Sequence, residues 1–185
     1  MKKLGKLAMV SLCFLLTMSC GPRNRRKKDI LSQSVIRFGS NHIYGEYAKK
    51  EYEQALNLLN EGKLEEAKLC FSHADSADPN NPEILTDLGG LMGTLYNNEA
   101  SYIYFDRALM IDSGFYRAYL NYGFWLNRGH RYKEAIFISK KGLSLPKIGQ
   151  DNRRKIYINL ANAFHQTGHD SLALVVLSYA KRELT

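Results

Sequence analysis

The chain has 185 residues, 45% of them apolar and 24% charged, the profile of one globular domain rather than a disordered or fibrous chain. Its formal net charge of +8 invites a nucleic-acid reading, but the excess sits at one end: Lys2, Lys3, Lys6, Arg23, Arg25, Arg26, Lys27 and Lys28 carry all of it. From Asp29 to Thr185 basic and acidic residues balance, 18 of each, so the count gives no reason to expect a basic face on the globular part, and nucleic acid is not an expected partner.

Lys2, Lys3 and Lys6 precede an apolar run, Leu7 to Leu16, which is followed by Thr17-Met18-Ser19 and Cys20. At about ten residues the run suits a cleaved leader and falls short of the roughly 20 residues of a membrane span. This order resembles a bacterial lipoprotein signal peptide. With Thr17 at the usual leucine place and Leu16 one place earlier, it is similar to the relaxed form of Bacteroidota lipoproteins. The resemblance implies removal of residues 1–19, lipidation of Cys20, and a basic tether over 20–43. Arg23–Lys28 would then lie at the headgroups, where each cation is attracted to anionic lipid by about 1 kcal/mol. Gly21-Pro22 carries no acidic retention or export signal. The expected location is therefore the cell envelope, lipid-anchored and facing the periplasm, with the outer membrane favoured. Cys13 would leave with the leader and Cys20 would become a thioether. Cys70 alone remains, so no intramolecular disulfide is expected. A further short helix is expected within about 29–43.

The region 44–185 is periodic. In the segments 48–81, 82–115, 116–149 and 154–185, the eighth place is Ala55, Gly89, Gly123 and Ala161. The twentieth is Ala67, Ser101, Ala135 and Ala173, and the twenty-seventh is Ala74, Ala108, Gly142 and Ala180. Large residues recur at the twenty-fourth place (Phe71, Phe105 and Leu177, with Ser139 the exception) and at the fourth (Leu85, Tyr119 and Tyr157, with Glu51 the exception). Small residues let two helices approach and large ones fill between neighbouring pairs, so each segment reads as a helix hairpin. Gly62 and Gly168 fall where a first helix ends. Asp78-Pro79-Asn80-Asn81-Pro82 breaks the chain and opens the next helix. An insertion around Gln150–Arg153 lengthens the last step. Tyr96 stands at the turn place of the second segment, with Asn97-Asn98 beside it.

"LLNEGKLEEAKLCFSHADSADPNN" resembles a tetratricopeptide repeat. "LTDLGGLM…FDRALMID", "YLNYGFWL…YKEAI" and "YINLANAFHQTGHDSLALVVLSYA" fit the second, third and fourth repeats. The resemblance implies an all-α, right-handed superhelical solenoid of four helix-turn-helix repeats. It also implies a concave groove lined at the second, fifth, ninth, twelfth and thirteenth places. Carried over, these are Tyr52 and Asn60; Thr86 and Thr94; Arg117, Phe124, Asn127 and Arg128; and Lys155, Asn162, His165 and Gln166. The early part of this set is neutral and the later part polar and cationic, which fits an acidic or carboxylate-terminated protein segment. The carboxylate clamp of chaperone-binding members would match at Asn121 and Lys155 but not at Thr86, Gly90 and Asn159, so chaperone-tail recognition is not expected.

No catalytic, cofactor or metal motif stands out. In "HQTGHD", His165 and His169 are four apart, but Gly168 ends the helix between them. Cys70 reads as a small packed side chain. The expected function is a membrane-anchored interaction scaffold or adaptor of the envelope. Its alternative is a structural subunit of an envelope complex, and an envelope enzyme or small-molecule carrier is a third reading. The last helix, "DSLALVVLSYAKREL", is apolar nearly all round. Ala173, Leu177 and Ala180 serve its inner face, while Leu172, Leu174, Val175, Val176, Tyr179 and Leu184 have no next repeat to cover them. A homodimer through this edge is the expectation it raises.

Overall fold

A computed structural model describes residues 45–183. The expected leader, Cys20, the basic tether and Leu184 lie outside the described residues. Eight helices and no strand occupy the described part. They are α1 (Glu46–Glu61), α2 (Leu64–Ala77), α3 (Pro82–Thr94), α4 (Asn98–Ile111), α5 (Tyr116–Arg128), α6 (Tyr132–Leu143), α7 (Gln150–Gln166) and α8 (Asp170–Arg182). Each odd-numbered helix pairs with the even one that follows it. Successive hairpins stack through α2 on α3, α4 on α5 and α6 on α7, while α3, α5 and α7 lie side by side as an inner layer. No helix among the described residues is long and apolar enough to cross a membrane.

The repeat places explain the packing. All four residues of the twentieth place, Ala67, Ser101, Ala135 and Ala173, are fully buried, as are Ala74 and Ala108 at the twenty-seventh. A side chain added to Gly89 would stand 2.9 Å from the Phe105 ring, and one on Gly142 would stand 2.9 Å from Tyr119 Cβ. Overfilling such sites costs about 1–3 kcal/mol. In the third repeat Ser139 takes the place of the large residue, and its Oγ lies 3.0 Å from where a Gly123 Cβ would be. Glu51, the polar exception at the fourth place, is half-buried and meets His73 Nδ1 at 3.1 Å.

The hairpin turns share one geometry. The fifteenth place is Gly62, Tyr96, His130 and Gly168, with φ of 79°, 64°, 62° and 80°. At each, the N–H of that residue donates to the carbonyl three before it, and the next N–H donates to the carbonyl five before that next residue: Leu59 and Leu58, Gly93 and Met92, Asn127 and Leu126, His165 and Phe164. This is the left-handed helix termination that glycine serves best. The glycines expected to turn the chain do so, and Tyr96 and His130 adopt the same left-handed backbone despite their Cβ atoms. Helix starts are also legible. Asn81 Oδ1 accepts from the N–H groups of Glu83 and Ile84, with Pro82 following as the first helical residue. Asn97 Oδ1 accepts from Ala100 N–H. The insertion at Gln150–Arg153 forms the first turn of α7, a helix of 17 residues where α3 and α5 have 13.

The last helix differs from its expectation at one residue. Val176 is buried with Ala173 and Ala180, facing α7, and Leu177 is half-buried. Leu172, Leu174, Val175 and Tyr179 remain exposed, at 47%, 54%, 49% and 42%.

Candidate functional site: the concave groove

Four first helices build the groove, and its floor holds a buried polar network that repeat-place reasoning did not name. Arg117 Nη1 donates to Glu83 Oε1 at 2.6 Å, and its Nη2 donates to Asp87 Oδ1 at 3.0 Å. Tyr52 O–H donates to the other Asp87 oxygen at 2.6 Å. These contacts tie α1, α3 and α5 together across neighbouring repeats, at sequence separations of 34, 30 and 35. Burial opposes the charge on Arg117, but Asp87, Tyr52 and Glu83 outweigh it and hold the guanidinium protonated. Burial, and then the Asp87 carboxylate, pushes the Tyr52 phenol far above its ordinary range, so it remains a donor.

The predicted lining residues divide between this floor and a more accessible part. Tyr52, Thr86, Thr94 and Arg117 are buried. Thr94 Oγ1 donates back to Gly90 O at 2.9 Å. Asn127 is buried and donates to Asn159 O at 2.9 Å, while Asn159 Nδ2 donates to Leu120 O at 3.0 Å, a reciprocal clasp between α5 and α7. Asn60, Arg128 and Gln166 are exposed; Phe124, Lys155, Asn162 and His165 are half-buried. Arg128 lies over both Phe124, at 5.9 Å, and Trp125, at 5.6 Å. His165 Nδ1 meets Asp170 at 2.8 Å and His169 Nδ1 meets Thr167 Oγ1 at 3.0 Å, so the two histidines face different partners. The expected cationic character thus narrows to Arg128 and Lys155, because the Arg117 charge is committed to Glu83 and Asp87. The signal for the missed residues lay in the sequence: Glu83 and Arg117 are both second-place residues, of opposite charge, one repeat apart.

Among the described residues no group of three or more His, Cys, Asp or Glu side chains gathers as a metal site would. Cys70 is buried, and that burial, together with Glu51 and Glu66, raises its thiol pKa, which disfavours the reactive thiolate.

Residues 52–81 match the tetratricopeptide repeat. A comparison with curated proteins gives no match. Solved structures share the fold. MamA, residues 41 to its end, from Desulfovibrio magneticus RS-1 superposes with a TM-score of 0.66 at 20% identity, over 75% of this chain and 76% of that one. Another crystal structure of MamA gives 0.66 at 15% identity, over 86% and 85%. The first repeat domain of Spaghetti (RPAP3), bound to the HSP90 peptide SRMEEVD, gives 0.61 at 19% identity, over 70% and 99%. At these identities the likeness is one of fold. The chain is an all-helical solenoid of stacked repeats, at least one of which is a tetratricopeptide repeat.

Proposed function

We propose that the chain is a lipid-anchored adaptor of the bacterial cell envelope that holds a protein partner in its concave groove. The observation that carries this reading is the α5–α7 part of the groove. There Arg128 lies over Phe124, and the helix packed beside α5 carries the accessible or half-buried Ile158, Asn162 and Gln166, so apolar, amide and cationic groups are offered by two neighbouring helices. A guanidinium stacked on aromatic rings keeps its edge for a carboxylate. The RPAP3 domain's acidic peptide supports an acidic segment as the occupant. The chaperone-type clamp does not transfer, since Asn159 spends its amide on Leu120 and Thr86 and Gly90 are buried. Membrane attachment falls to Cys20, on the order of cations, apolar run and cysteine at the N-terminus.

The uncovered edge of α8 favours a second reading, a subunit of an envelope complex, because four exposed apolar side chains on one helix mark a contact surface. The two readings share the anchor and differ in what touches the groove. Arg128→Glu with Lys155→Glu, in the full chain crosslinked in native membranes, is expected to lose the groove partner with its circular dichroism and melting unchanged. Equal recovery of the partner rejects groove binding. Cys20→Ala is expected to release the chain from membranes or leave an unprocessed precursor; membrane association at the processed mass rejects the anchor.

A further inference from the structure

The outer layer of second helices carries a row that the packing leaves bare. The twenty-second place of the four repeats is Leu69, Ile103, Phe137 and Val175, and these are 58%, 60%, 56% and 49% exposed. Equivalent places lie on one side of a solenoid, so the four stand on successive second helices, on the surface away from the groove. The place just before them packs instead. Tyr102 is buried with Trp125 of α5, and Ile136 packs against the cluster of Leu160 and Phe164 on α7. Leu174 holds that place in α8 and so faces the open end, whereas Val175 belongs to the outer row. Charge divides the row. Four before, three after and four after Ile103 stand Glu99, Asp106 and Arg107; the same places around Phe137 hold Lys133, Lys140 and Lys141. On a helix these offsets surround the central side chain. The formal charge around the apolar residue therefore changes from −1 on α4 to +3 on α6. The three lysines are exposed, and none has an acidic partner among the described residues. Glu134, the carboxylate on the same helix, is held by Arg131 through two contacts of 2.6 Å. Lys141 Nζ lies 4.6 Å from the centre of the Phe137 ring.

We infer that the outer face of α6, with Val175 of α8 beside it, lies on an anionic lipid surface. The Phe137 ring and the lysine stems enter the boundary between headgroups and acyl chains, and the ammonium groups stay at the phosphates. Two observations select lipid as the occupant. The first is charge complementarity. The face offers cations and apolar carbon without a free carboxylate on α6, which suits a surface of repeated anionic headgroups. The second is reach. Residues 21–44 separate Cys20 from Gly45, at most about 80 Å of chain, so a domain anchored at Cys20 stays near the surface and the contact needs little affinity of its own. In this respect the inference rests on the anchor proposed above. Its consequence reaches the groove. The first helices α3, α5 and α7 form the inner layer, so with α6 on the lipid the groove opens away from the membrane, toward a partner. Leu69 and Ile103, with acidic residues around them, belong to the part of the row that stays off the lipid.

The test uses the full chain with vesicles of equal parts phosphatidylglycerol and phosphatidylcholine, and of phosphatidylcholine alone. In the native sequence, acylation of amines read by mass spectrometry should slow several-fold at Lys133, Lys140 and Lys141 on the anionic vesicles, while Lys68, exposed on α2, reacts as before. A prodan-type fluorescent side chain placed at Phe137 should shift its emission to the blue in chain that floats with the anionic vesicles, and the same side chain placed at Ile103 should not. Lys133→Glu, Lys140→Glu and Lys141→Glu together should abolish the shift. Equal protection of Lys68, equal shifts at both places, no shift at Phe137, no chain on the vesicles, or the same result on phosphatidylcholine alone overturns the inference. A shift produced by polyglutamate in place of vesicles assigns the face to an acidic protein and overturns it too. So does a shift that follows protein concentration without vesicles, which marks a second copy. The anchor is scored separately, by membrane association of Cys20→Ala, and the groove by recovery of its partner, so each reading can fail without the others.

Discussion

Tyr96 sits where the fold asks for glycine, and replacing it should stabilise the protein. Its φ of 64° matches the 79° and 80° of Gly62 and Gly168 at the same repeat place. A left-handed backbone costs a residue with a Cβ about 1–2 kcal/mol. Glycine returns part of that gain through its extra freedom in the unfolded chain, about 0.5–1 kcal/mol. Tyr96 is 75% exposed, so little packing is lost with its side chain. Tyr96→Gly is therefore expected to add about 0.5–1 kcal/mol, which for a chain of this size raises the melting midpoint by about 1–3 °C. The reverse substitution tests the same reasoning. A Cβ on Gly62 would meet nothing within 4 Å, so Gly62→Ala isolates backbone strain from clash and should cost about 1 kcal/mol. Thermal melts of the three full-length chains by far-ultraviolet circular dichroism decide it. A lower midpoint for Tyr96→Gly, or an unchanged one for Gly62→Ala, refutes the argument that this repeat place demands a left-handed residue.

Arg117→Met should cost about 3–5 kcal/mol in urea denaturation because it takes the guanidinium away from two buried carboxyl groups. The triple change Glu83→Gln, Asp87→Asn and Arg117→Met should recover much of that, and a triple variant as unstable as the single one would show that shape rather than charge holds the floor. Tyr52→Phe removes a 2.6 Å hydrogen bond to a charged group and should cost about 1.5–3 kcal/mol. It should also make the alkaline loss of stability shallower. The phenol pKa is raised in the fold, so its contribution is intact below the ordinary value of 10.0 and declines above it, as the unfolded chain ionises first. Burial also raises Tyr102, Tyr116, Tyr119 and Tyr122, so the decline persists in part; an unchanged slope above that pH contradicts the assignment. At the C-terminal edge, Leu174→Lys with Val175→Glu should convert a self-associating chain to a monomer in detergent-free sedimentation, and a parent that is already monomeric rules out the homodimer.

The architecture was legible because each repeat place has one physical job. Ala67, Ser101, Ala135 and Ala173 are small for the same reason in all four repeats, and all four are fully buried. The turn was legible at Gly62 and Gly168 from residue type. At Tyr96 and His130 it was legible only from register, because side-chain identity there gives no hint of a left-handed backbone. Reading Val176 as uncovered came from counting every apolar residue on a helix without assigning faces. With Ala173 and Ala180 inward, Val176 lies three residues along the same face and is buried with them.

The groove was legible in position but not in chemistry. Repeat places say which residues face inward; they do not say which inward residues satisfy one another. Arg117 looked like a cation offered to a ligand, and it is held instead by Glu83 and Asp87, because burying a guanidinium at 3% exposure requires partners of opposite charge. Those partners lie one repeat away, a separation at which a helix-face reading of a single repeat finds nothing. The same reasoning separates Arg117 from Arg128. Both are groove-place arginines on α5, but Arg128 rests on the faces of Phe124 and Trp125 and is exposed. A stacked guanidinium loses none of its hydrogen-bonding edge to the rings beneath it, so of the two it is Arg128 that can receive an acidic group from outside the chain.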